Sequence, residues 1–145
     1  MATVELSFTA LPAHVRTARL VATAVARRSG VDESLLDEVR LAVGEACSRA
    51  VEGHQLYCPA EPVRLALTDL AGRFEVEVTD TCAPEARWDG GSAGSGGPDS
   101  TGRGLGLAPG LGLAVIEGLA DDVQISETAG GTSIRMSWPS AGASR

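Results

Sequence analysis

Residues 31–53 read VDESLLDEVRLAVGEACSRAVEG, and their spacing predicts the strongest helix of the chain. Leu35, Leu36, Val39, Ala42, Val43, Ala46 and Ala50 recur at about 100° per residue, which gathers them on one wide apolar face. Asp32 is placed to cap the N-terminus, where a short acceptor side chain bonds amides that lack a helical partner, and Gly53 is placed to follow the last turn. Glu45 and Arg49 stand four apart on the border of the apolar face, with Glu38 and Glu52 nearby. Side chains there overhang a pocket above the helix or meet water. A Glu–Arg pair at this spacing is also a favoured surface ion pair worth about 0.3–0.5 kcal/mol. From the residues alone both readings stand.

On the N-terminal side, VELSFTA (4–10) alternates Val4, Leu6 and Phe8 as a half-buried strand does. Pro12 then opens a helix with Val15, Ala18, Ala22, Val25 and Ala26 on one face and Arg16, Arg19, Arg27 and Arg28 on its flanks; Ser29-Gly30 ends it. On the C-terminal side, VRLALT (63–68) and RFEVEVTD (73–80) alternate about Ala71-Gly72 and read as an antiparallel hairpin. Residues 88–110 hold nine of the chain's 18 glycines and cannot form a packed element. LGLAVIEGLAD (111–121) follows as a helix with Leu113, Ile116 and Leu119 inward and Glu117 outward. DVQISE and GTSIRMSW make a second hairpin around Ala129-Gly130-Gly131, and the tail from 139 to 145 reads as disordered. Hairpin-linked strands with three helices imply an α+β two-layer sandwich, a mostly antiparallel mixed sheet with helices on one face, forming one domain over residues 1–138.

A net charge of −7 argues against general nucleic-acid binding, which needs a basic surface to neutralise phosphates. The chain contains no lysine, so P-loop, eukaryotic-type kinase and Schiff-base chemistry are excluded. No apolar run approaches ~18 residues and no signal peptide is evident, so a cytoplasmic protein without a membrane span is expected. Cys47, Cys58 and Cys82 are odd in number and widely spaced, which argues against a disulfide framework or a zinc site. His14 and His54 read as surface or helix-end residues.

The glycines suggest phosphate binding, but no register from Gly102, Gly104 or Gly110 gives the dinucleotide fingerprint; the sixth position is Leu107, Pro109 or Val115. Gly110 and Gly112 instead precede a helix, and their amides with the helix N-terminus can receive a polyphosphate. The alternative for them is a tight turn into the helix. Asp80 ends a buried strand, where its carboxylate can accept from an exocyclic amine such as that of adenine or can cap a turn. Thr132, after the second hairpin turn, can support the same group through its hydroxyl.

DEVRLAVGEACSRAV, VEVTD, GLGLAVIEGLADDV and GGTSIRMSW together resemble the small ATPase-type anti-sigma regulators of bacterial partner switching, serine protein kinases of the GHKL superfamily. The resemblance covers roughly residues 4–138. It implies the ATPase-like fold shared with gyrase and sensor histidine kinases, and ATP as cofactor. It implies a sigma factor, a STAS-type anti-sigma antagonist, or both, as partners, and a homodimer. Glu45 matches the acidic residue that acts on the substrate serine. Asp80 matches the adenine-reading aspartate, and Thr132 the threonine beside it. Gly110, Gly112 and Leu113 match the phosphate-side motif. Residues 88–110 match the lid over ATP, where Gly102, Arg103, Gly104 and Gly106 can also contact phosphate.

Two departures bear on activity. Arg49 stands where the family has a magnesium-binding asparagine; a guanidinium has no lone pair to give and repels the cation, which counts against Mg²⁺. DTCAP replaces the family's D-x-G-x-G, so Cys82 and Pro84 stand where glycines let the backbone approach the base. Two readings therefore stand: a binding regulator with a degenerate ATP site, in which Arg49 grips phosphate or merely pairs with Glu45, and an active serine kinase. A stand-alone sensor-kinase-like ATPase domain is a third and weaker alternative.

Overall fold

The computed structural model describes residues 2–82, 111–128 and 130–141. Over these the chain runs β1 (Ala2–Phe8), α1 (Pro12–Arg28), α2 (Glu33–Tyr57), β2 (Val63–Leu70), β3 (Arg73–Thr79), α3 (Leu111–Leu119), β4 (Asp122–Thr128) and β5 (Gly131–Pro139). The strands form a five-stranded sheet in the order β1-β2-β3-β5-β4, with every pairing antiparallel. The expected α+β sandwich is present.

Strand alternation sets the two faces of the sheet. Leu6 pairs with Leu65, Leu65 with Val78, Val78 with Ile134 and Ile134 with Ile125, so one apolar row crosses all five strands. The next row carries Leu67, Val76, Met136 and Val123. The opposite face is polar, with Glu5, Glu77, Arg135 and Gln124 in one row.

The helices cover the apolar face, and α2 is the central one, in contact with α1, α3 and the sheet. That position explains why its buried set is wider than the predicted stripe. Gly44, Cys47, Val51 and His54 join Leu36, Val39, Ala42, Val43, Ala46 and Ala50 in the interior. Helix α1 buries Val15, Ala18, Ala22 and Ala26, small side chains that let the two axes approach closely. Asp32 caps α2 as expected, accepting from the Ser34 amide and hydroxyl; those bonds hold its carboxyl below the ordinary value.

Two boundaries and one cross-link differ from the reading of the sequence. Helix α2 does not stop at Gly53 but continues one turn to Tyr57, because His54 is fully buried and bonded on both ring nitrogens. Cys58, at the helix C-cap, pairs with Cys82 in a disulfide across 24 residues, against the expectation from spacing. The ordered chain also passes residue 138: Pro139 ends β5, the Ser140 amide donates to the Gly72 carbonyl, and the Ala141 amide to the Gly30 carbonyl.

Candidate nucleotide site

Helix α2 lies over the ends of β3 and β5, and between them is a small hollow of about 50 Å³. Ala46, Arg49, Ala50 and Gly53 form its helix side; Val78, Asp80, Thr132 and Ile134 form its sheet side. The alanines and the glycine are spaced along one face of α2 and leave room that larger side chains would fill. A complete ligand pocket measures roughly 300–1,000 Å³. The hollow is well below that size.

Asp80 follows the last residue of β3 and is locked to β5. Its amide donates to the Thr132 carbonyl at 2.9 Å, and the Thr132 amide donates back to Asp80 Oδ1 at 3.1 Å. The approach is close enough to demand a particular residue in the hairpin. Gly131 has φ +146°, and a Cβ there would lie 2.0 Å from the Asp80 carbonyl oxygen. The glycine that makes this hairpin possible thus also sets Asp80 beside Thr132, the pair matched above to the adenine side.

Arg49 is exposed and lines the hollow with Asp80 and Thr132. Glu45, one turn earlier on α2, borders a different space, a cleft of about 460 Å³ between α1 and α2. Arg16, Arg19, Leu41 and Glu52 also line that cleft. Among the described residues, Glu45 and Arg49 make no ion pair within 4.0 Å. Glu45 is half-buried, and burial raises its pKa above the ordinary value of 4.5. Arg49 acts in the opposite direction without overcoming burial, and Glu52 adds to the rise. Glu45 is therefore a stronger base than a surface carboxylate, where a tight pair with Arg49 would have made it a weaker one.

Cys82 is not part of the hollow's wall. It is almost fully buried, bonded to Cys58, with its sulfur 3.9 Å from the Gly53 carbonyl oxygen. Thr81, between Asp80 and Cys82, is held twice: its amide donates to His54 Nε2 at 2.9 Å and its hydroxyl to the Pro62 carbonyl at 2.9 Å. His54 Nδ1 lies 2.8 Å from the Glu61 carbonyl oxygen, to which it donates while Nε2 accepts from the Thr81 amide. The sequence did not single out His54, Thr81 or Cys58 as residues that hold the turn after β3. The phase of α2 carried a signal for two of them, since Ala50, His54 and Cys58 follow one another at i,i+4. Gly112 and Leu113 fall within the first turn of α3, which begins at Leu111, whereas the glycine pattern placed Gly112 just before the helix. Arg103, Gly104 and Gly110, and the lid expected over 88–110, lie outside the described residues.

The histidine kinase-like ATPase domain family matches the chain over residues 8–138. None of the curated protein sequences compared with the chain matches it. Among solved structures, the RsbU and RsbW domains of Rv1364c from Mycobacterium tuberculosis superpose with a TM-score of 0.65 at 20% identity. That match takes in 95% of this chain and 32% of the other, so this chain spans about a third of its structural neighbour.

Proposed function

The chain belongs to the histidine kinase-like ATPase family, and on that premise we propose that it is an anti-sigma-type regulator with a nucleotide site altered at its magnesium position. The observation that carries this is Arg49 on the wall it shares with Asp80 and Thr132. Asp80 and Thr132, bonded to each other through the Thr132 amide and Asp80 Oδ1, are the residues this reading assigns to the purine. Arg49 does not fit a cation. It offers five N–H donors and no acceptor, a chemistry suited to phosphate oxygens. ATP would supply both the purine and the anion. Asp80 and Thr132 would hold the first and Arg49 the second, with Gly110 and Gly112 as further phosphate contacts. Partners would be a sigma factor, a STAS-type antagonist, or both, engaged by a homodimer. The arginine flank of α1 and the solvent edge of the sheet are the contact surfaces this reading puts forward. Likeness to a structure containing an RsbW domain supports the partner-switching class.

Calorimetric titration of ATP with Mg²⁺ and with a chelator tests the site. Equal affinity in both, weakened at least tenfold by Arg49→Ala, is expected. Binding that requires magnesium would overturn the role given to Arg49. Titration with sigma factors and STAS proteins from the same organism tests the partners.

One observation favours a second reading, an ATP-dependent serine kinase. Glu45 is half-buried and more basic than a surface glutamate, as a residue taking a proton from a substrate serine hydroxyl must be. Arg49→Asn distinguishes the two. Phosphorylation of a STAS protein gained by that change, and absent before it, would mean that Arg49 alone silences the site.

A further inference from the structure

Cys58 and Cys82 are brought together by tertiary packing from the C-cap of α2 and from the turn after β3. Their Cα atoms are 5.8 Å apart, within the ordinary disulfide range. The two sulfurs are not equivalent. Cys58 is partly exposed, while Cys82 is 1% exposed. A partly exposed cysteine with a buried partner in bonding reach is the arrangement of an attacking and a resolving cysteine. Cys47 cannot compete, being fully buried with its thiol pushed up to about 12 by burial.

The position of the pair gives the bond something to control. Cys82 is two residues beyond Asp80, and Cys58 ends the helix that carries Arg49. The intervening Thr81 is held by two hydrogen bonds, from its amide to His54 Nε2 and from its hydroxyl to the Pro62 carbonyl. We propose that Cys58 and Cys82 form a thiol–disulfide site, a reversible covalent latch that fixes the 80–82 turn, and with it Asp80, against α2.

The oxidant is a low-molecular-weight disulfide. The Cys58 thiolate attacks one of its sulfurs, forms a mixed disulfide and expels one thiolate. The Cys82 thiolate then attacks the Cys58 sulfur and expels the second. Two protein thiols are oxidised, one external disulfide is reduced to two thiols, and the two protons pass to the expelled thiolates.

His54, Cys58 and Cys82 have ligand atoms within 4.8 Å of one another, so a bound metal is the competing use of the cluster. It is disfavoured because both nitrogens of His54 are engaged, Nε2 by the Thr81 amide and Nδ1 by the Glu61 carbonyl.

The effect of the latch on ligand binding rests on the nucleotide reading above. Its existence does not, and the test therefore reads thiols and amides without added nucleotide. The full-length protein is equilibrated with oxidised or reduced glutathione, its free thiols are alkylated and mapped, and amide exchange is followed in both states. Oxidation should protect Cys58 and Cys82 from alkylation, slow exchange at Thr81 and Thr132, and raise the melting midpoint by about 10 °C, the scale expected for closing a loop of this length. Cys58→Ser, which changes the outer sulfur only, should exchange like the reduced protein under both conditions. Free thiols at 58 and 82 after oxidation would overturn the latch, as would equal exchange rates in the two states or zinc that co-purifies and shields both cysteines.

Discussion

Replacing Gly131 with alanine should damage stability and the nucleotide site together, and the structure sets the scale. The new Cβ would lie 2.0 Å from the Asp80 carbonyl oxygen and 2.8 Å from Oδ1. The first of these is a backbone atom and cannot swing aside, so the start of β5 must retreat by about 1 Å to reach a tolerable contact. That retreat stretches both bonds between Asp80 and Thr132, each worth about 1 kcal/mol net. A non-glycine residue held at φ +146° adds strain of about 1–3 kcal/mol. The total is about 3–5 kcal/mol, a large share of the ~5–15 kcal/mol that holds a domain together. The melting point should fall by about 10 °C. Urea unfolding followed by tryptophan fluorescence measures the loss, since Trp138 is fully buried with its ring centroid 6.4 Å from that of Phe74. Gly72→Ala is the control: Gly72 has φ +79° but no atom within 4 Å of an added Cβ, so only backbone strain of about 1–2 kcal/mol applies. If Gly131→Ala costs no more than Gly72→Ala, the close approach to Asp80 is not what the hairpin glycine serves.

Other outcomes follow from single interactions. His54→Leu keeps the buried volume filled but strands the Thr81 amide and the Glu61 carbonyl, so it should cost about 3 kcal/mol in urea unfolding; a loss under ~1 kcal/mol would contradict the bonding described. Burial holds the Glu45 pKa above its ordinary 4.5, so the folded state binds more protons there than the unfolded state, and stability from this group falls as pH rises from 4.5 through the folded value. Glu45→Gln should remove that slope, and its stability relative to the parent should rise across the same window. In an NMR titration, Arg49→Ala should move the Glu45 midpoint further up, since Arg49 now lowers it; no movement would mean that the two do not interact.

Much of the fold was legible because it rests on local periodicity. Period-two alternation located all five strands, and the phase of Leu36, Val39, Val43, Ala46 and Ala50 identified the central helix. The pattern could not show that α2 is covered on several sides. That coverage carries the helix past Gly53 and makes His54 a buried residue bonded on both ring nitrogens.

The candidate site divides along the same line. The sequence by itself determined the matches to the family motifs in order, and the arginine at the position matched to a magnesium-binding asparagine, because residue identity at a fixed spacing within one helix or strand end is local information. Only the tertiary structure decided that Asp80 and Thr132 bond to each other, that Arg49 joins them while Glu45 borders a separate cleft, and that Cys58 meets Cys82. Each of those pairings joins segments far apart in the chain, and none is encoded in the periodicity of either. They follow from laying α2 across the ends of β3 and β5, a long-range arrangement set by burial of one apolar face on another.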